Sequence, residues 1–205
     1  MRVPVVHLIT DRRLDPDPAA RAAEVLRSLP AGCVAVHLRE KDLGGAALLA
    51  LARPLVEVCH RAGQRCLVNE RIDVALAAGA DGAHLPSTGV SPEDARRLLG
   101  PAALIGVSCH SAASVRRALA GGASFATFGP VYDTPSKRAY GPPVGLAALE
   151  EAARLGLPLV ALGGIEPARV AEVRRAGAHG VGAIRAWLAG DDPAAVVRAL
   201  LAGLS

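Results

Sequence analysis

Lys41 and Lys137 are the only two lysines in a chain that carries 21 arginines, and each follows an apolar run. A lysine ammonium is a compact point charge that suits a phosphate oxygen or a proton transfer, where the wider guanidinium fork fits less well. The other chemistry-bearing residues also sit just after apolar runs. Arg39, Glu40 and Lys41 form one group, Asn69 and Glu70 a second, and Ser108 and His110 a third. A Pro- and Gly-punctuated segment carries Thr134, Ser136 and Lys137, and it is long enough to close over a ligand. Gly163-Gly164 and Ile184-Arg185 complete the set. Adjacent glycines let bare backbone N–H groups approach an anion, and a guanidinium binds phosphate in a bidentate manner.

Alternatives stand beside several of these readings. Arg39 could pair with Glu40 in a structural ion pair, and the two glycines could simply shape a turn. His7, His37 and His84 lie within or at the edge of apolar runs, as core or layer histidines also do. His110, just beyond such a run, is the first candidate for general acid/base work, with Lys137 the second. No His/Cys cluster has metal-ligand spacing, and a lone Glu70 does not make a divalent site, so no metal is expected.

The elements that must position these residues recur along the chain. Eight short β-rich runs are expected: Val3 to Ile9, Cys33 to Leu38, Cys66 to Val68, Gly82 to Leu85, Leu104 to Val107, Ser124 to Phe128, Leu159 to Leu162 and Gly180 to Ile184. Ala-rich segments with a period near 3.6 lie between them, at Pro18 to Leu29, Ala46 to Ala62, Pro92 to Leu99, Ala112 to Ala120, Leu146 to Leu155 and Pro167 to Ala176. A last helix is expected over Pro193 to Leu204. Three segments repeat weakly: AGADGAHL, GGASFATFG and AGAHGVGAI. Each has a helix-ending glycine, a turn and a buried strand. Continuous apolar strands alternating with helices imply a parallel sheet, and eight units imply closure into a single (β/α)₈ TIM barrel over residues 1–205. An open doubly wound sheet is the alternative. In such a barrel the active site stands at the C-terminal ends of the strands, where the polar and glycine residues above fall.

Composition narrows the function class. With 51% hydrophobic residues but only two Phe, two Tyr and one Trp, the core is aliphatic and surfaces for base stacking are lacking. The net charge of +4 comes from arginines spread along helical faces, which reads as solvated surface, with no nucleic-acid partner. Cys33, Cys59, Cys66 and Cys109 form no CxxC pair and read as buried thiols of a reducing compartment. The first apolar stretch is too short to span a membrane and lacks a cleavage pattern. A cytoplasmic protein is expected, and its apolar outer helices are compatible with a homodimer.

At these residues the chain resembles the thiamine phosphate synthase and thiazole tautomerase superfamily, through VHLREK, VNERIDVALAAGADGAHL, IGVSCHS, FGPVYDTPSK and VALGGI in order. The resemblance implies a (β/α)₈ barrel and a small-molecule thiazole phosphate held at Gly163, Gly164, Ile184 and Arg185. It also implies that Arg39, Lys41, Asn69, Glu70, Ser108 and Thr134 contact substrate. The synthase branch joins a pyrimidine methyl diphosphate to thiazole phosphate with Mg²⁺, held by an Asp after the Asn and by a second Asp soon after the His-Leu. Here the first position is Glu70, and HLPSTGVSPEDAR lacks the second. On that ground the tautomerase branch is expected, a metal-free proton shift that aromatises a carboxythiazole phosphate, with no cofactor. Two departures count against a simple assignment: Pro130 stands where the tautomerase pattern has a histidine, and Arg185 where the family has serine. Synthase chemistry with Mg²⁺ and a non-catalytic phosphate-ligand regulatory protein remain the alternatives.

Overall fold

The computed structural model describes residues 2–135, 138, 141–189 and 192–204. Eight parallel strands pair each with the next, and β8 pairs with β1, so the sheet closes into a barrel. They are β1 (Val6–Ile9), β2 (Val34–Leu38), β3 (Arg65–Asn69), β4 (Gly82–Leu85), β5 (Leu104–Cys109), β6 (Phe125–Phe128), β7 (Leu159–Ala161) and β8 (Gly180–Ala183). The expected (β/α)₈ architecture is therefore present, and the open sheet is excluded.

Period-two alternation explains why the strands read as continuous apolar runs. In β2, Val34, Val36 and Leu38 join the apolar layer between sheet and helices, while Ala35 and His37 point into the barrel. The same alternation sends Leu67, Leu104, Phe125 and Val160 inward to form an apolar floor with Val3 and Ala35. Both faces are covered, so both must be apolar near the floor.

Around the barrel run α1 (Pro18–Leu26), α2 (Gly45–Arg61), α3 (Ile72–Ala78), α4 (Pro92–Leu99), α5 (Ala112–Ala120), α6 (Gly145–Ala153), α7 (Val170–Arg175), α8 (Arg185–Leu188) and α9 (Pro193–Ala202). A 3₁₀ turn over Pro167–Arg169 precedes α7. Side-chain caps start several of these helices. Asp17 accepts from Ala20 N, Ser91 from Asp94 N and Asp192 from Ala195 N, each with a proline at the first helical position. Ser111 and Ser114 make a reciprocal capping box on α5. In the three repeated segments, Gly79, Gly122 and Gly177 hold φ of 68°, 77° and 91°, the left-handed turn that sends the chain back into the next strand.

Two helices have no counterpart among the periodic segments, although Gly79 marks a helix end. Helix α3 has seven residues and α8 four. The first strand begins at Val6, three residues later than expected, since pairing starts at Val6↔Val34. Among the described residues, no helix is long and apolar enough to cross a membrane.

Candidate active site

The barrel interior above the floor is polar, and it leads to the mouth. His7, His37 and His84 pack edge-on or tilted in a row beside Phe125, with ring centroids 5.0 Å apart for the first pair and 5.1 Å for the second. The His7 Nε2–H donates to Pro4 O at 3.0 Å, so its Nδ1 accepts from His37 Nε2 at 2.8 Å. Burial holds all three neutral. His7 falls to about 3, with its bond to Pro4 opposing the shift. His84 falls to about 4, pressed further by the Arg39 guanidinium. His37 also lies well below the ordinary range. Glycine opposite these rings makes the room, since a Cβ at Gly106 would collide with Phe125 Cζ.

At the mouth His84 bridges two strands. It meets Asn69 Oδ1 at 2.9 Å through Nδ1 and Thr127 Oγ1 at 3.0 Å through Nε2. The His84 carbonyl accepts from Glu70 N at 2.9 Å. That bond belongs to an unusual turn, because Glu70 is the only non-glycine residue with positive φ among those described, at 63°. The turn carries its carboxylate to Lys41 Nζ, 2.8 Å away. Glu70 and Lys41 are therefore brought together as a solvent-reached ion pair.

Arg39 and Glu40 separate, contrary to the ion-pair alternative. The Glu40 side chain is buried and turns toward β1, where its Oε1 accepts from Thr10 Oγ1 at 2.6 Å and its Oε2 from Arg12 N at 3.1 Å. Thr10 Oγ1 in turn accepts from Arg39 N at 2.9 Å. The guanidinium of Arg39, half-buried beside His84, has no hydrogen bond or ion pair among the described residues. A partly desolvated cation without a carboxylate is free to receive an anion.

Ser108 lies half-buried near the end of β5, paired in register with Thr127. Beside it a cavity of about 110 Å³ is lined by Ser87, Ser114 and Arg117. That is well below the roughly 300–1,000 Å³ of an ordinary small-molecule pocket. His110 is exposed and stands against the β6 end, its Nδ1 2.5 Å from Gly129 O. Thr134 is half-buried. Ser136 and Lys137 lie outside the described residues.

On the other side of β1 from the cations lie the ends of β7 and β8. Gly163 and Gly164 have φ of 91° and 65°. A Cβ at Gly163 would sit 2.6 Å from Pro130 Cα, and one at Gly164 would sit 2.8 Å from Tyr132 Cβ. Packing of the β6 loop therefore demands glycine at both positions, in addition to any anion they receive. Ile184 is half-buried immediately before α8, and Arg185, its first residue, is exposed without a partner among the described residues.

Sequence reasoning missed the Glu40 anchor and a contact group of Tyr132, Arg169 and Glu172. Tyr132 Oη donates to Glu172 Oε2 at 2.7 Å, and Arg169 lies 4.5 Å from the Tyr132 ring centroid. A carboxylate placed between Arg39 and Lys41 was the only available signal for Glu40. Nothing in the spacing linked residues 132 and 169.

Comparison with known proteins bears on the chemistry. The family described as thiamine monophosphate synthase (TMP-TENI) matches residues 6–187. A putative thiamine-phosphate synthase of Geobacter sulfurreducens is 48% identical over 198 residues, covering 96% of this chain and 92% of that protein. The thiamine-phosphate synthase of Roseiflexus castenholzii is 40% identical over 197 residues, covering 96% of this chain and 86% of its own. In solved structures, thiamine phosphate pyrophosphorylase from Pyrococcus furiosus superposes with a TM-score of 0.86 at 27% identity, covering 98% of this chain and 95% of that one. The synthase names of these relatives overturn the tautomerase expectation. That expectation counted missing protein carboxylates, but Mg²⁺ is commonly held by one or two carboxylates together with substrate phosphates and water. A single glutamate at the mouth is thus no ground for rejecting the synthase branch.

Proposed function

Because the chain belongs to the thiamine monophosphate synthase family, we propose that it joins a pyrimidine methyl diphosphate to a thiazole phosphate, releasing diphosphate. In this reaction the methylene C–O bond breaks, its electron pair leaves on the diphosphate, and the thiazole nitrogen forms the new C–N bond. One observation supports this reading above the others: two separate anion-receiving groups share the mouth, Arg39 and Lys41 after β2 and the Gly163-Gly164 pair after β7. Two anionic substrates need two such groups.

In this reading Arg39 and Lys41 hold the diphosphate and stabilise the charge that grows on it as the bond breaks. Asn69, held by His84, and Ser108 orient the pyrimidine side of the mouth. Gly163, Gly164, Ile184 and Arg185 take the thiazole phosphate, with Thr134 on the loop above. His110 was expected to shuttle a proton in isomerisation, and condensation asks for no such step.

A divalent ion is implied by the family, and the donor set can be tested against it. Among the described residues no three metal-ligating side chains cluster. Glu70 offers one hard carboxylate at the mouth, so the site fits Mg²⁺ only as an ion shared with the diphosphate. When bound there, the ion would neutralise charge on the leaving diphosphate. Lys41, 2.8 Å from Glu70, keeps that carboxylate turned toward the mouth.

Purified protein given both substrates and Mg²⁺ should release diphosphate and form thiamine phosphate. Absence of any product, with the protein shown folded by circular dichroism, would reject the proposal.

A further inference from the structure

The loop after β6 and the glycine cradle after β7 are joined by more than their chain neighbours. Val131 N donates to Leu162 O at 2.7 Å, and Tyr132 N to Gly163 O at 3.1 Å. Val144 N and Gly145 N donate back to Pro130 O at 2.8 Å and Val131 O at 3.2 Å, so both ends of the loop are pinned at its base. From there the side chains of one short helical segment take over. Arg169 Nη1 donates to Gly164 O at 2.7 Å while its guanidinium lies over the Tyr132 ring. Tyr132 Oη then reaches Glu172, one turn further on. Burial and that bond raise the Tyr132 hydroxyl to about 12, so it stays a donor at any working pH.

The geometry is specific to Arg169. A guanidinium can stack on a ring by its face and donate in its own plane at once, which an ammonium cannot. Gly164 leaves no slack, since a Cβ there would lie 2.8 Å from Tyr132 Cβ and 3.0 Å from Asp133 O. Asp133 directly precedes Thr134. The backbone that would receive a phosphate and the backbone that carries Thr134 are therefore in contact, and Arg169 bonds to Gly164 O of the first while stacking on the Tyr132 side chain of the second.

We propose that Arg169 is a positioning residue that couples the two: by fixing Gly164 O and the Tyr132 ring together, it lets a phosphate seated on Gly163-Gly164 set the placement of Thr134 over the thiazole. The inference rests on the synthase reading for the identity of that phosphate. It concerns a residue that touches neither substrate. Its signature is energetic dependence between Arg169 and Thr134, which a general stabilising role would not produce.

The test is a double-mutant cycle on the full chain, with kcat and both KM values measured for wild type, Arg169→Ala, Thr134→Ala and the double variant. Arg169→Ala should raise the thiazole phosphate KM and lower kcat, each about tenfold. The pyrimidine diphosphate KM should stay within about twofold, because Arg39 and Lys41 are untouched. Thr134→Ala should then cost about tenfold less in the Arg169→Ala background than alone. Single effects that multiply to within about twofold in the double variant overturn the proposal. So does a change confined to the thiazole phosphate KM with kcat intact. Should Arg169→Ala not fold, Arg169→Lys keeps the charge and serves in the same cycle. If the wild type releases no diphosphate, the synthase reading fails. The cycle is then read in thiazole phosphate affinity by calorimetry, where additivity again overturns the coupling.

Discussion

The floor and the mouth of the barrel hold similar polar residues under opposite conditions. Just above the floor of Leu67, Leu104, Phe125 and Val160, His7 and His37 are fully buried, neutral and bonded to each other. At the mouth Arg39 and Lys41 are charged, Arg39 has no carboxylate among the described residues, and Glu70 occupies left-handed backbone. A closed parallel barrel imposes this contrast, because side chains fill its lower layers while the strand ends face solvent. Groups at the floor serve stability, whereas strain and unpaired charge concentrate at the mouth.

Substitutions on either side can break that contrast, and the largest effect is expected at the mouth. Arg39→Ala should lower kcat/KM about 10³-fold, close to 4 kcal/mol of transition-state stabilisation, and leave the melting temperature nearly unchanged. Equal losses of activity and melting temperature would contradict the division. At the floor the pattern reverses. Gly106→Ala forces a methyl against Phe125 and His84 and should cost about 3 kcal/mol in chemical denaturation.

The buried histidines give the barrel interior a pH signature. Their folded-state values lie below the ordinary 6.5, at about 3 for His7 and about 4 for His84, so below that pH the unfolded chain binds protons the folded chain refuses. Their contribution is therefore complete above pH 6.5 and is lost as pH falls toward 4. Each histidine adds about 1.4 kcal/mol per pH unit to that slope. His37→Phe should flatten the acid limb of a denaturation series by one such increment, and an unchanged slope would show that His37 titrates normally.

The smallest effect concerns the strained turn. Glu70→Gly relieves a positive φ but adds chain entropy to the unfolded state, so it should raise stability by no more than about 1 kcal/mol. Diphosphate release should fall with the loss of the carboxylate, by less than in Arg39→Ala. A variant that keeps full activity would separate Glu70 from the chemistry altogether.

Much of this was legible beforehand. The strand runs and their spacing indicated the closed barrel, because covered parallel strands must be apolar on both faces, and the three repeated glycine turns marked where helices end. Arg39, Lys41, Asn69, Glu70, Gly163 and Gly164 were singled out as candidates by their place at the strand ends, and the barrel puts them there. The bodies of helices α3 and α8 were not read as periodic segments, although Gly79 marked where α3 ends. The choice of reaction went wrong because carboxylates were counted along the chain, while a substrate diphosphate also supplies metal ligands.

Sequence alone determined the period, and with it the fold and the rim on which the polar residues collect. Local rules reach that far, since alternation and turn chemistry act over a few residues. Only the tertiary structure decided partners: Glu40 turns to Thr10 rather than to Arg39, Glu70 reaches Lys41 from another strand, and Arg169 joins Gly164 to Tyr132. Those choices depend on the pairing of neighbouring strands, which brings together residues about 30 or more positions apart in sequence through contacts that no short-range pattern encodes.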